Sequence, residues 1–346
     1  MKSLFEIDPN FASRHPSRED LVFHSARRFP FAVRGVFWED GRFRRLPERV
    51  AAATSEGVAE LHANTAGGRV CFCTDSPYIV LRAAMDRVGK MPHFALTGSA
   101  GFDLYEGSVY RGTFVPPFDL TDGYEAAVEV GEGGLREYTV NFPLYSDVSE
   151  VEIGLAAGAV LTEPAPCRGS GPIVYYGSSI TQGGCASRPG RSYQSVIARQ
   201  TGYDYVNLGF SGSARGEEVM ARYIAGLDMA AFVLDYDHNA PTAEHLAATH
   251  EPFFRTVRAA HPEAPIVLLS RPRAVLTAEE EERLAIVRAT WERARAAGDE
   301  NVWFLSGPEL MAHCGNEGSV DGCHPTDFGF ASMAAVLGAL LEKILP

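Results

Sequence analysis

PIVYYGSSIT, residues 172–181, decides the fold. Ile173, Val174, Tyr175 and Tyr176 form an unbroken β-branched and aromatic run between Pro172 and Gly177. Such a run suits a strand buried on both faces, as in a parallel sheet, better than the alternation of a half-exposed one. Downstream the rhythm is helix then strand. SYQSVIARQTG (192–202) reads as a helix closed by Gly202, and YDYVNLGF (203–210) as a second strand. MAAFVLDYD (229–237), APIVLLSRP (264–272) and NVWFLSG (301–307) follow as strands. Helices are expected between them, from about Thr242 to His261 and from Thr277, where Thr277 and Glu280 have capping-box spacing. A last helix is expected from Pro325, a favoured first-turn residue, to Leu345. Alternation of this kind predicts a parallel sheet with helices on both faces and a functional crevice at the carboxyl ends of its strands.

Upstream the period shortens. VAELHAN (58–64), RVCFCTDSPYIVLRAAM (69–85), FALTG (94–98), GFDLYEG (101–107), VYRGTFVPPF (109–118), YEAAVEV (124–130), REYTVNFPLY (136–145) and VSEVEIGL (148–155) are strand-like runs divided by turn residues. Without a convincing helix among them, they predict a β-sandwich or jelly roll. LTEPAPCRGSGP (161–172) breaks the pattern and reads as a linker. The expected domains are residues 1–165, all-β, and 166–346, α/β, which suits a chain of 346 residues.

Composition narrows the partners. With 46% hydrophobic and 22% charged residues, the chain is neither disordered nor fibrous. Its 31 Lys and Arg against 44 Asp and Glu leave a charge of −13, a field that repels nucleic acid and anionic membrane. No stretch of about 18 apolar residues suggests a spanning helix. Glu6 and Asp8 fall where an export signal needs apolar residues, so a cytoplasmic location is expected. The six cysteines are expected to be reduced rather than a disulfide framework.

Polar residues gather where the strands end: Ser178-Ser179 after the first, Ser211-Gly212 after the second, Asp237-His238-Asn239 after the third, and Asp321-Gly322-Cys323-His324 after the last. A serine becomes a nucleophile when a base takes its proton and a third group orients that base. Ser179, His324 and Asp321 supply those roles, and the three-residue spacing puts Asp321 and His324 on one turn. A tetrahedral oxyanion needs preorganised donors, for which the N–H of Ser179, the N–H of Gly212 and the side-chain amide of Asn239 are the candidates.

These four blocks, in this order, resemble the SGNH or GDSL family of serine esterases and acyltransferases, matched by Ser179, Gly212, Asn239 and His324 with Asp321 before the His. Two departures stand out. Ser178 replaces the Asp of Gly-Asp-Ser-Leu, as in a branch reading GSSIT or GTSIT, and the Gly-x-Asn-Asp block is here Asp237-His238-Asn239-Ala240. Gly101-Phe102-Asp103-Leu104-Tyr105 resembles the signature of a β-rich module that precedes that branch. The branch includes carbohydrate-type esterases and an acyltransferase that decorates an aromatic polyketide, and this chain looks more like the latter. The resemblance implies a flavodoxin-like SGNH-hydrolase domain, preceded by a β-sandwich that binds substrate or carbohydrate.

The expected chemistry runs through an acyl-Ser179 intermediate, drawing on a small-molecule ester or acyl donor and a hydroxyl acceptor. An esterase of small hydroxylated substrates is expected first. An acyltransferase using an acyl-thioester cosubstrate of the CoA type comes next, and a carbohydrate-binding protein on an inactive scaffold is the alternative from another class. No other cofactor is expected. His238 is a candidate substrate contact or a structural hydrogen-bonder; Arg188 and Arg191 are candidates to hold an anionic group or are simply solvated. His313-Cys314 and Cys323-His324 invite a zinc reading, but adjacent pairs lack the usual ligand spacing and metal would consume the His that Ser179 needs, so no metal is expected. Cys185 and Cys323 fall on loops near the site and are placed to approach each other.

Overall fold

The computed structural model describes residues 7–8 and 18–345. Short alternating strands of the first half form two large antiparallel sheets, beside a small hairpin of Phe37–Glu39 and Arg42–Arg44. One has the order Leu21–Ser25, Asp147–Ala156, Tyr78–Arg87, Gly123–Glu129. The other runs Leu161–Thr162, Arg69–Thr74, Arg136–Asn141, Phe102–Glu106, Val109–Phe114, with Ala32–Arg34 also paired to Arg69–Thr74. Period two decides which residues face inward: Val70 and Phe72 join Leu81, Phe102, Leu104, Val151 and Ile153 in one core between the sheets. Each such side chain contributes roughly 1.5–3 kcal/mol on burial.

Two of the expected strands are helices. VAELHAN contributes to a helix at Glu56–Leu61, because the Ser55 hydroxyl accepts the N–H of Val58 and caps it. With the preceding helix Glu48–Thr54, it places Leu46, Ala51 and Val58 in the core of the second half, beside Val174, Leu208 and Met220. Tertiary packing thus overrides a strand-like local pattern. FALTG yields one helical turn, Leu96–Ser99, where a side chain on Gly98 would run into the carbonyl of Ala186. The expected linker is also largely strand. Leu161–Thr162 pairs with Thr74 and Cys73, and the first parallel strand already begins at Arg168, so only the proline-bearing middle lies between strands.

The second half is an α/β layer structure. Its five strands, Arg168–Gly177, Tyr203–Gly209, Ala231–Asp235, Ile266–Leu269 and Val302–Leu305, are parallel in the order second, first, third, fourth, fifth, the flavodoxin-like arrangement. Helices Tyr193–Thr201 and Asp327–Ile344 cover one face through Ile197, Phe330, Met333 and Leu337. Helices Glu218–Ala225, Ala243–Ala260 and Ala278–Ala296 cover the other. Strand order reverses beside the first strand, which opens the crevice at its carboxyl end. The last helix starts at Asp327, two residues later than expected: Pro325 is bridged to Ser319, and the extended Thr326 precedes the helix. Among the described residues no helix is long and apolar enough to cross a membrane.

Candidate active site

The turn after the first strand is shaped by what crowds it. A side chain on Gly177 would meet the Asp235 carbonyl at 2.1 Å and the Thr181 hydroxyl at 2.2 Å, so only glycine lets the first and third strands end this close together. Ser178 then caps a single helical turn, Ser179–Gln182, by accepting the N–H of Ile180 at 3.1 Å. That turn lifts Ser179 onto the rim.

Ser179 Oγ lies 2.9 Å from Nε2 of His324. Nδ1 of the same ring lies 2.7 Å from Oδ2 of Asp321, so the carboxylate accepts the Nδ1 proton and leaves a lone pair on Nε2 facing the hydroxyl. Oδ1 of Asp321 also accepts the N–H groups of Cys323 (2.9 Å) and His324 (2.8 Å), which folds 321–324 into a turn. Burial works to raise the Asp321 carboxyl, but those two N–H groups and the imidazole outweigh it and hold the group down at about 2.

Two further turns carry the other expected donors. The Phe210 carbonyl accepts the N–H groups of Ser213 and Ala214 and, at 3.2 Å, one side-chain N–H of Asn239. An amide nitrogen carries two protons, so Asn239 keeps one for another acceptor. Gly212 sits at φ +64° with open space where a side chain would stand, which leaves its backbone accessible. Among the described residues neither its N–H nor that of Ser179 has an acceptor.

Gln182 ties these turns together. Its side-chain oxygen accepts the N–H of Ser211 at 3.0 Å, and its amide donates to Asn64 Oδ1 (3.0 Å) and the Leu144 carbonyl (3.2 Å). Asn64 in turn donates to Asp147 at 2.6 Å. The Tyr145 hydroxyl donates to the Ser179 carbonyl at 3.3 Å. The first half therefore holds the nucleophile turn directly.

The profile of the GDSL-like lipase/acylhydrolase family matches residues 170–342. The chain belongs to that family. The profile of the GxDLY module, the N-terminus of SGNH hydrolase-type esterases, matches residues 21–161. This GDSL-type protein is an enzyme of the ester hydrolase or acyltransferase class. No curated protein matches it. Among solved structures it is similar to a GDSL-like lipase from Bacteroides ovatus, with 26% identity and a TM-score of 0.83 over 94% of this chain and 98% of that one. It is also similar to the salicylyl-acyltransferase of a tetracycline biosynthetic pathway (23%, TM-score 0.77, 95% and 100% covered). A third is a family two carbohydrate esterase from Clostridium thermocellum in complex with cellohexaose (15%, 0.58, 80% and 92%). With these last two the likeness is one of fold.

Several residues of this GDSL-type enzyme sit differently from expectation. Arg188 is committed to the protein: it donates to Asp103 Oδ2 (2.9 Å) and to the Tyr105 hydroxyl (2.6 Å), and its side chain is 16% exposed. Asp103, fully buried, also accepts Gly190 N–H and the Asn141 amide; burial pushes its carboxyl up, against the pull of Arg188. The Gly101–Tyr105 signature thus clamps the segment after the nucleophile. Arg191 points to Asp327 at 3.3 Å, at the start of the last helix. His238 is half-buried: its Nδ1 lies 3.4 Å from Asp237, and its Nε2 is without a hydrogen-bond partner among the described residues. His313 and Cys314 take no part in either group of possible metal ligands among the described residues. Cys185 and Cys323 both lie by the triad as free thiols.

His93 is the residue that sequence reasoning missed. It tips a turn bridged between Met91 and Phe94, and its Nε2 lies 3.8 Å from Asp321 Oδ2. Its ring centroid is 5.9 Å from that of His324. No spacing links residue 93 to residue 324, so nothing in the sequence marks it. Gln182 was more accessible, since it follows Ser178 by one helical turn.

Proposed function

We propose that the chain transfers acyl groups through an ester of Ser179, acting on small hydroxylated substrates or their esters. The observation that carries this is the pair of contacts at 2.9 and 2.7 Å that joins Ser179, His324 and Asp321 in line. His324 Nε2 takes the hydroxyl proton as Oγ attacks the carbonyl. The tetrahedral oxyanion is received by the N–H groups of Ser179 and Gly212 and the free amide proton of Asn239, and His324 then protonates the leaving oxygen or sulfur. Asp321 holds the tautomer throughout. Deacylation reverses the sequence, with water or an acceptor hydroxyl giving its proton to His324.

Hydrolysis is the first reading. Transfer is favoured by one feature: His93 and Tyr145 reach the rim from the sandwich, His93 beside Asp321 and Tyr145 on the Ser179 carbonyl. Such walls can hold an acceptor against the acyl-enzyme and exclude water. For transfer, the donor is an acyl thioester. Incubation with nitrophenyl esters and acyl thioesters, with and without hydroxylated acceptors, should give an acyl adduct on Ser179 by mass spectrometry. Ser179→Ala and His324→Ala should lose it while folding normally. An adduct that persists in either variant, or a protein that binds sugars but turns over no ester, refutes the proposal. Free acid alone, across acceptors, places the protein with the hydrolases.

A further inference from the structure

Three turns bring soft and borderline metal ligands to the same point. His93 comes from the turn 91–94 of the sandwich, Cys185 from the turn after the nucleophile, and His324 from the loop before the last helix. One ligand atom from each lies within 4.8 Å of the other two. Tetrahedral zinc, with bonds of about 2.0–2.1 Å to nitrogen and about 2.3 Å to sulfur, sets its ligand atoms roughly 3.4–3.6 Å apart. Closing the gap takes side-chain movements of about an ångström, within reach of groups carried on loops. We infer that His93, Cys185 and His324 form a site for a thiophilic divalent cation, Zn²⁺ above all, and that its occupation shuts the enzyme off.

The orientation of His324 supports the site beyond proximity. Nδ1 of His324 is already bound to Asp321, which makes Nε2, now 2.9 Å from the Ser179 hydroxyl, the lone-pair nitrogen in the arrangement that a carboxylate imposes on zinc-binding histidines; an ion there displaces that hydroxyl or takes it as a ligand. Cys185 is held at φ +74°, a left-handed conformation that a non-glycine residue adopts at a cost, and the turn that carries it abuts the imidazole: a side chain on Gly184 would lie 3.3 Å from Cδ2 of His324. On binding, the Cys185 thiol gives its proton to solvent and its sulfur bonds the ion. His93 and His324 each donate a nitrogen lone pair, and the fourth position takes water or the Ser179 hydroxyl.

The consequence for chemistry is direct. The lone pair that the ion takes from His324 Nε2 is the one that would deprotonate Ser179, so a loaded site is an inactive one. That inhibitory half rests on the proposed function; the binding half does not. Sulfur and imidazole ligation selects zinc over magnesium, which prefers oxygen.

Binding is measured first, on the Ser179→Ala protein, by competition with a chromogenic zinc chelator. One ion per chain is expected. Cys185→Ser and His93→Asn in that background should each weaken binding at least tenfold, since lost outer partners alone cost 10–100-fold. Cobalt substitution should give a thiolate charge-transfer band that Cys185→Ser abolishes and His93→Asn leaves. Equal zinc affinity in all three proteins, or no cobalt–thiolate band in the first, overturns the site. In the protein carrying Ser179, zinc should inhibit ester turnover reversibly to chelator, at concentrations at least tenfold higher in either variant. Inhibition unmoved by both variants overturns the shut-off. Zinc binding as expected in a protein that turns over no ester leaves the site standing and counts against the acyl-transfer reading alone.

Discussion

Replacing Asp321 by Asn changes one heavy atom and nearly nothing in shape. The amide oxygen can keep the N–H groups of Cys323 and His324, at 2.9 and 2.8 Å, so the 321–324 turn should survive. The other terminal atom, 2.7 Å from His324 Nδ1, becomes an NH₂ and presents a donor where the carboxylate accepted. The imidazole answers by moving its proton to Nε2, the atom 2.9 Å from Ser179 Oγ, and a protonated Nε2 cannot serve as the base. In a buried triad the wrong tautomer lowers kcat on the order of 10⁴-fold. Asp321 is 35% exposed, so water competes for Nδ1 and softens the effect. A fall of about 10³- to 10⁴-fold is expected, about 4–5.5 kcal/mol of barrier. Pre-steady-state acylation by a nitrophenyl ester reads the chemical step, and thermal unfolding checks the fold. A loss under tenfold in acylation, with the fold intact, would refute the tautomer argument.

Arg45 is fully buried and donates to the carbonyls of Leu61, Asn64, Asn207 and Gly209, so Arg45→Met strands four acceptors; urea unfolding should show a loss of about 3–5 kcal/mol, and under 1 kcal/mol would contradict it. Asp103→Ala takes the carboxylate from Arg188 and leaves it only the Tyr105 hydroxyl, costing roughly 2–4 kcal/mol, and Arg188→Ala in addition should cost less than the sum, a coupling of about 0.5–3 kcal/mol in a double-mutant cycle. Burial, with Asp237 beside it, pushes Asp235 up to about 8, so the native state keeps a proton that the unfolded chain loses above the usual 3.8. Stability from that proton is complete at low pH and declines as pH rises to 8. Asp235→Asn, which can still accept from Thr181, should gain on the parent protein across that range in pH-dependent unfolding, and a constant difference would refute it. His250 is buried and its imidazole is pushed down to about 4, so it stays neutral when folded. Stability it contributes is present above 6.5 and lost as pH falls toward 4, by roughly 3 kcal/mol; His250→Gln should flatten that acid limb in the same titration.

What could be read from the sequence was whatever local physics decides. The 172–181 run, the Thr277–Glu280 capping box and Gly202 each state their structure within a few residues, and all three hold. The strand-end rule brought residues as distant as Ser179, Asn239 and His324 to one rim. Failures came where a distant partner decides. Val58 reads as strand until the second-half core that it packs into is known, and Arg188 reads as an anion-holding or a solvated side chain until the buried Asp103 is seen beneath it. His93 belongs with them, because only the docking of two sheets onto a third brings it within 3.8 Å of Asp321.

The helix pair at residues 48–61 bears on how the chain is made. These helices belong by sequence to the sandwich but by packing to the α/β core, where they lie against Val174, Leu208 and the helix Glu218–Ala225. During synthesis they leave the ribosome well before that surface exists. Leu46, Ala51 and Val58 then wait, uncovered, while more than a hundred further residues are added. The sandwich can close early, but this apolar flank cannot, and it is where a nascent or truncated chain offers itself to chaperones or to other chains.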